Sequence, residues 1–234
     1  MILPSLVIPE LCNQYFTESG LDSYKNSFNK EYFKTYPYTV EYKYNERGYR
    51  DKPWPNNLQD CIWCIGDSFT VGIGSPYEHT WAQILERRTG IRVVNVSMDG
   101  ASNQWISRIA KEISKTIQPK NIICMWSFAH RRERPAADNG TDLERRTHYT
   151  KDSTKQEDLM TFSACVTSLI RTSDKVNYIH STIPNATDSE ITSQVFENIS
   201  NFIGEVKIID YARDSFHFDI KTSTSIVDKI MPLL

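Results

Sequence analysis

The sequence has no apolar run approaching the ~20 residues that a membrane-spanning helix needs. Its opening Met1-Ile2-Leu3-Pro4-Ser5-Leu6-Val7-Ile8-Pro9 is short, carries two prolines and lacks a basic flank, which argues against a secretory leader. A cytoplasmic location is the expectation. Positive charge is not in excess either. With 27 Lys and Arg against 29 Asp and Glu, the net charge of −2 offers no electrostatic footprint for nucleic acid.

Cysteine is sparse and odd in number, five in 234 residues, which argues against a disulfide framework. Cys61-x-x-Cys64 has the spacing of a redox or zinc pair, yet it lies inside an apolar run and has no second pair. Cys61, Cys64 and Cys124 therefore read as reduced packing residues in buried strands, and neither a metal nor a cofactor is expected. What remains is an ordinary globular composition, 39% hydrophobic and 24% charged, long enough for one enzyme-sized α/β domain.

The chain is organised around Cys61-Ile62-Trp63-Cys64-Ile65-Gly66-Asp67-Ser68-Phe69-Thr70-Val71-Gly72-Ile73-Gly74. A short apolar run that stops at turn residues suits a strand covered on both faces, as in a parallel sheet. Ser68 then sits at the carboxyl end of that strand, where open α/β sheets place their ligands. If a helix starts there, its first N–H groups are unpaired and aimed at whatever the hydroxyl attacks. Asp67 reads as the residue that fixes the turn. Downstream, Val93-Val94-Asn95-Val96-Ser97-Met98-Asp99-Gly100 is a second strand ending in a glycine, and Ile208-Ile209-Asp210-Tyr211-Ala212-Arg213-Asp214-Ser215-Phe216-His217 leads into Asp-x-x-His before the last helix.

This order of Ser, Gly, Asp and His resembles the SGNH (GDSL-like) hydrolase family over roughly residues 45 to 231. The resemblance implies that Ser68 is the nucleophile, His217 the base and Asp214 its orienting acid, with the N–H groups of Ser68 and Gly100 in an oxyanion hole. It also implies a serine esterase that works through an acyl-enzyme. The family's third block brings an asparagine to that hole, and here the sequence departs. Asn121-Ile122-Ile123-Cys124-Met125-Trp126 is followed by Ser127-Phe128-Ala129-His130-Arg131, so Ser127 or His130 is left to donate. Two other readings stay open: the same site could pass the acyl group to a sugar hydroxyl as a transferase, or the missing asparagine could mark a non-catalytic binding protein on the same fold. The expected partner is a small-molecule or glycan ester.

Residues 1–57 hold 12 of the chain's 27 Phe, Tyr and Trp residues, unlike a disordered tail. Tyr38, Val40, Tyr42 and Tyr44 alternate with Thr39, Glu41 and Lys43, which predicts a strand with one apolar face. Asn45-Glu46-Arg47-Gly48-Tyr49-Arg50 follows as a turn and is similar to an Asn-x-x-Gly-Phe-Arg run in many such enzymes. The segment reads as an extension packed on the sheet edge, with a wall of the site as the alternative. The α/β domain then occupies 58–234.

After Ser68, Thr80 and Gln83 form a capping-box pair with Gly90 as the stop, and strand 91–96 follows. Ile106, Ile109, Ile113 and Ile117 mark a helix that Pro119 ends, before strand 121–126. Leu159 to Leu169 is helical and Val176 to His180 is a strand. Ile191, Val195, Ile199 and Phe202 give another helix, Val206 to Asp210 the fifth strand, and Ile226 and Ile230 the closing helix. Such alternation predicts a flavodoxin-like three-layer α/β/α sandwich around a five-stranded, mostly parallel sheet. Residues 128–155 break the alternation as a long polar loop or lid with Arg131, Arg132, Arg134, Arg145 and Arg146 against Glu133, Asp138, Asp142 and Glu144. Arg131 is its candidate for gripping an anionic substrate group. Asp99 and Asn103 flank Gly100 and either touch substrate or cap the next helix. His79, His148 and His180 read as structural histidines.

Overall fold

The computed structural model describes residues 6–18, 39–133, 148–149, 153–172 and 175–234, with side chains for all but 18, 148 and 149. Tyr38, Arg134, Asp138, Asp142, Glu144, Arg145 and Arg146 lie outside the described residues, as does the side chain of His148.

A ribbon of β1 (Tyr15–Glu18) and β2 (Val40–Lys43), paired antiparallel, precedes the core. The core strands are β3 (Ile62–Gly66), β4 (Val93–Ser97), β5 (Asn121–Trp126), β8 (Asn177–Thr182) and β9 (Phe202–Glu205). They lie in the order β4-β3-β5-β8-β9 and every pairing is parallel. The first strand in the chain is thus flanked by the second and third, the flavodoxin-like order with its switch point between β3 and β5. A two-stranded pair of β6 (Arg131–Arg132) and β7 (His148–Tyr149) joins the ends of the long polar connection.

Period-two patterning sends alternate residues of each core strand to opposite layers. Trp63 and Ile65 of β3, with Ile122, Cys124 and Trp126 of β5, pack under α3 (Asn103–Thr116), α4 (Lys155–Ile170) and α5 (Ser189–Phe196). Ile62 and Cys64, with Ile123 and Met125, meet α2 (Trp81–Thr89) and α6 (Ile220–Ile230) on the other face. Both faces being covered is why these strands read as unbroken apolar runs. Among the described residues no helix is long and apolar enough to cross a membrane.

Local signals act as the chemistry requires. Thr80 Oγ1 accepts from Gln83 N–H at the start of α2, and Gly90 ends it at φ 69°. The reciprocal half of that capping box is missing because Thr80 N–H is already given to Tyr77 O, at the end of a 3₁₀ turn. Thr154 and Glu157 complete a full capping box on α4.

The end of the sheet differs from expectation. Helix α5 stops at Phe196, and Phe202, expected in that helix, opens β9. Val206 to Asp210 is no strand: Val206 N–H still reaches Thr182 O, but the chain then turns so that the Asp210 carboxylate accepts from the N–H groups of Lys221 and Thr222 at the start of α6. Those unpaired helix donors draw the segment off the sheet edge.

Candidate active site

β3 ends at Gly66, whose hydrogen cannot be replaced, since a Cβ there would lie 2.1 Å from Thr70 Oγ1. Asp67 follows in extended conformation and caps α1 (Ser68–Val71), accepting from Phe69 N–H at 3.1 Å. Ser68 is therefore the first helical residue, and its own N–H has no intrahelical acceptor.

Across from it, Tyr211 and Phe218 form a single antiparallel bridge, and Ala212 N–H donates to His217 O at 2.7 Å. This closes a tight loop carrying Asp214 and His217. The three-residue spacing lets one carboxylate do three jobs. Asp214 Oδ1 accepts from Phe216 N–H at 3.0 Å and His217 N–H at 2.9 Å, and Oδ2 meets His217 Nδ1. Burial pushes the Asp214 carboxyl up, but the bond and charge of His217 together with the two N–H donors outweigh it and hold the group below the usual carboxylate value. His217 Nε2 lies 2.9 Å from Ser68 Oγ. Phe69 packs on the imidazole at 4.5 Å and Phe216 edge-on at 5.1 Å. Phe216 is 55% exposed beside a serine that is only 4% exposed, so it forms a rim at the mouth of the site.

The structure brings Ser68, His217 and Asp214 into one hydrogen-bonded line. Gly100 sits at φ 72° on the turn leaving β4, the strand beside β3. The other candidates are arranged differently. Ser127 has two protons to donate and both are committed, its N–H to Asn103 Oδ1 at 2.7 Å and its hydroxyl to Asp67 Oδ2 at 2.6 Å. It therefore has no donor left for an oxyanion. Asn103, expected either to touch substrate or to cap the next helix, is buried and returns Nδ2 to Ser127 O at 3.0 Å. Neither it nor Asp99 caps α3; Ser102 does, through Trp105 N–H. Arg131, expected to grip substrate, is buried, with Nη1 3.0 Å from Asp67 Oδ2 and 2.8 Å from Ser127 Oγ.

The Ser127 hydroxyl and Arg131 share one cause, whereas Asn103 is held by the Ser127 backbone. The N-cap Asp67 is fully buried, and burial pushes its carboxyl up despite the opposing charge of Arg131 and the bonds from Ser127 and Phe69. A buried carboxylate must recruit donors, and it takes them from the neighbouring turn. His130 alone of that turn's candidates lies half-buried, its ring stacked on Phe128 at 5.4 Å. Burial, aided by Arg131 and Arg132 against Asp158, holds it below the usual imidazole value.

His180 and His79, read as structural, each pair within the fold. His180 Nδ1 accepts from Trp126 Nε1 at 3.1 Å in the core, and burial lowers it to about 4. His79 Nδ1 faces Asp219 Oδ1 at 2.9 Å. Sequence reasoning missed the contacts behind the nucleophile, where Arg50 and Tyr42 of the N-terminal segment reach the 71–75 backbone. The Asn45-to-Arg50 run and the alternation around Tyr42 marked both residues, but no local pattern signals what they bind.

No family model matches the sequence, and no curated protein matches it. Solved structures do match. A protein assigned to the G-D-S-L lipolytic family, from Desulfitobacterium hafniense, superposes with a TM-score of 0.53 at 16% identity, covering 75% of this chain and 99% of that one. A family two carbohydrate esterase from Clostridium thermocellum, in complex with cellohexaose, gives 0.52 at 13% identity over 77% of this chain and 65% of that one. A family 2 carbohydrate esterase with a carbohydrate binding domain, from Corynascus thermopiles (Myceliophthora fergusii), gives 0.53 at 10% identity over 77% and 67%. The chain thus spans about two thirds of these two carbohydrate esterases. Taken with the strand order, these superpositions show that the chain adopts the fold of the SGNH (GDSL-like) hydrolases.

Proposed function

We propose that the protein is a serine ester hydrolase for short acyl groups, with O-acetyl esters of carbohydrates as its leading substrate class. The observation that carries this reading is the line from Ser68 Oγ through His217 to Asp214. Ser68 Oγ attacks the ester carbonyl carbon as its proton passes to His217 Nε2, while Asp214 holds the ring and offsets the charge that forms. Collapse of the tetrahedral intermediate breaks the bond to the alcohol, which leaves with the proton from Nε2. Water, deprotonated by the same nitrogen, then releases the acid and restores Ser68.

Negative charge on the carbonyl oxygen is met by the N–H groups of Ser68 and Gly100, and His130 is the remaining candidate for a third donor. The carbohydrate assignment draws on the cellohexaose complex of a structural neighbour and on the exposed ring of Phe216 at the rim.

A fluorophosphonate probe tests the nucleophile, with mass spectrometry expected to find the adduct on Ser68. Acid release from acetylated glycans, measured with and without a sugar acceptor, separates hydrolysis from transfer. Equal labelling of wild type and Ser68→Ala overturns the assignment.

A further inference from the structure

The nucleophile's helix is only four residues long, so its geometry depends on what holds its far end. Val71 O at that end has no intrahelical donor, and Gly72 O just beyond it accepts from Ser75 N–H at 3.2 Å. Arg50 binds both carbonyls. Its Nη1 donates to Val71 O at 3.2 Å and Gly72 O at 2.5 Å, and its Nη2 to Ser75 O at 2.9 Å and Glu41 O at 2.8 Å. Arg50 is 2% exposed, and its guanidinium lies 4.4 Å over the ring of Tyr42. Only a planar fork with several fixed donors spans four carbonyls in this way.

Tyr42 adds a second hold on the same segment, its hydroxyl oxygen accepting from Gly74 N–H at 2.8 Å. Gly74 in turn lies against the acid of the triad. A Cβ at this φ 77° glycine would stand 2.9 Å from Asp214 Cγ, and Gly74 O accepts from Arg213 N–H at 3.3 Å. The 71–75 segment is therefore joined covalently to Ser68 on one side and packed on Asp214 on the other. Arg50 and Tyr42 grip it from behind.

We propose that Arg50 and Tyr42 are positioning residues that set the register between Ser68 and the Asp214–His217 pair, so that the N-terminal ribbon is a working part of the active site. This rests on the ester-hydrolase reading above. Neither side chain contacts substrate in this account. A shift of the segment changes the alignment of the serine with its base, and misalignments of order 1 Å cost up to about 10²-fold.

The test uses the full chain with Tyr42→Phe, which keeps the ring beneath Arg50 and removes the hydroxyl that accepts from Gly74 N–H, and Arg50→Lys, which keeps the charge and loses the fork. Fluorophosphonate labelling rate, kcat and KM on an aryl acetate are measured below each variant's unfolding temperature. Expected are a kcat lowered about tenfold in Tyr42→Phe and about 10²-fold in Arg50→Lys, with labelling rates falling in parallel and KM within twofold. The fall in kcat at fixed KM separates positioning from a structural role, which would lower only the unfolding temperature. Folded variants that label and turn over at wild-type rates overturn the proposal. A wild-type chain that neither labels nor hydrolyses any ester removes the reaction itself, and the positioning role with it.

Discussion

The turns after β3 and after β5 leave adjacent parallel strands at the same sheet edge, and both present a serine there. Ser68 faces His217, whereas Ser127 faces inward and donates to Asp67. Position at the carboxyl edge is therefore not enough to make a hydroxyl available. What decides is whether a buried neighbour has a stronger claim on its proton, and Asp67, deprived of water, has that claim on Ser127. The first turn sets its hydroxyl against a histidine, and the second bonds to the first.

The sharpest way to test this contrast is to truncate each serine. Ser68→Ala is expected to lower turnover by about 10⁴-fold or more with the fold intact, as for other triad nucleophiles. Next in size is Arg131→Met, which leaves Asp67 buried with its cation gone. Breaking such a pair costs about 3–5 kcal/mol, read as a fall in the denaturation midpoint, whereas a merely substrate-gripping arginine would change KM and leave stability alone. Then comes a pH test at the root of the second turn. His180 receives the indole N–H of Trp126, the last residue of β5, and its folded value of about 4 lies below the ordinary 6.5. The unfolded chain therefore takes up this proton first as pH falls, so stability should drop by about 3 kcal/mol between pH 6.5 and 4. His180→Gln should flatten that part of the stability profile. The smallest effect is Ser127→Ala, expected to cost about 2 kcal/mol of stability while turnover stays within about threefold. A tenfold loss of turnover there would return Ser127 to the oxyanion hole.

Those outcomes bear on how much the sequence disclosed. The β3 run, the Gly-Asp-Ser turn and the Asp-x-x-His block were legible because each is local: alternation, an N-cap and a three-residue reach are written in neighbouring residues. Ser127, Asn103 and Arg131 were misread because the partners that decide their placement, Ser127 for Asn103 and Asp67 for Ser127 and Arg131, lie 24 to 64 positions away. Polar residues near a predicted site look available until the fold supplies a buried carboxylate to claim them. The fifth strand was misplaced for a related reason. As an edge strand β9 has one neighbour, so the capping demands of α6 compete with the sheet for Val206 to Asp210. Arg50 was visible as the end of the Asn45-to-Arg50 run, but its role was not, since its four acceptors are backbone carbonyls.

The thiols carry a further consequence. Cys64 and Cys124 are wholly buried on the paired strands β3 and β5, and burial lifts Cys165 on α4 to about 11, whereas Cys12 is half-buried at the end of the 3₁₀ turn of Pro9–Leu11. A thiol reagent thus finds a built-in pair of stopwatches. Modification at Cys12 times the fraying of the N-terminal segment, and modification at Cys64 or Cys124 times the opening of the central sheet. The ratio of the two rates measures, without any added label, how firmly the segment that carries Arg50 and Tyr42 is fastened to the domain it serves.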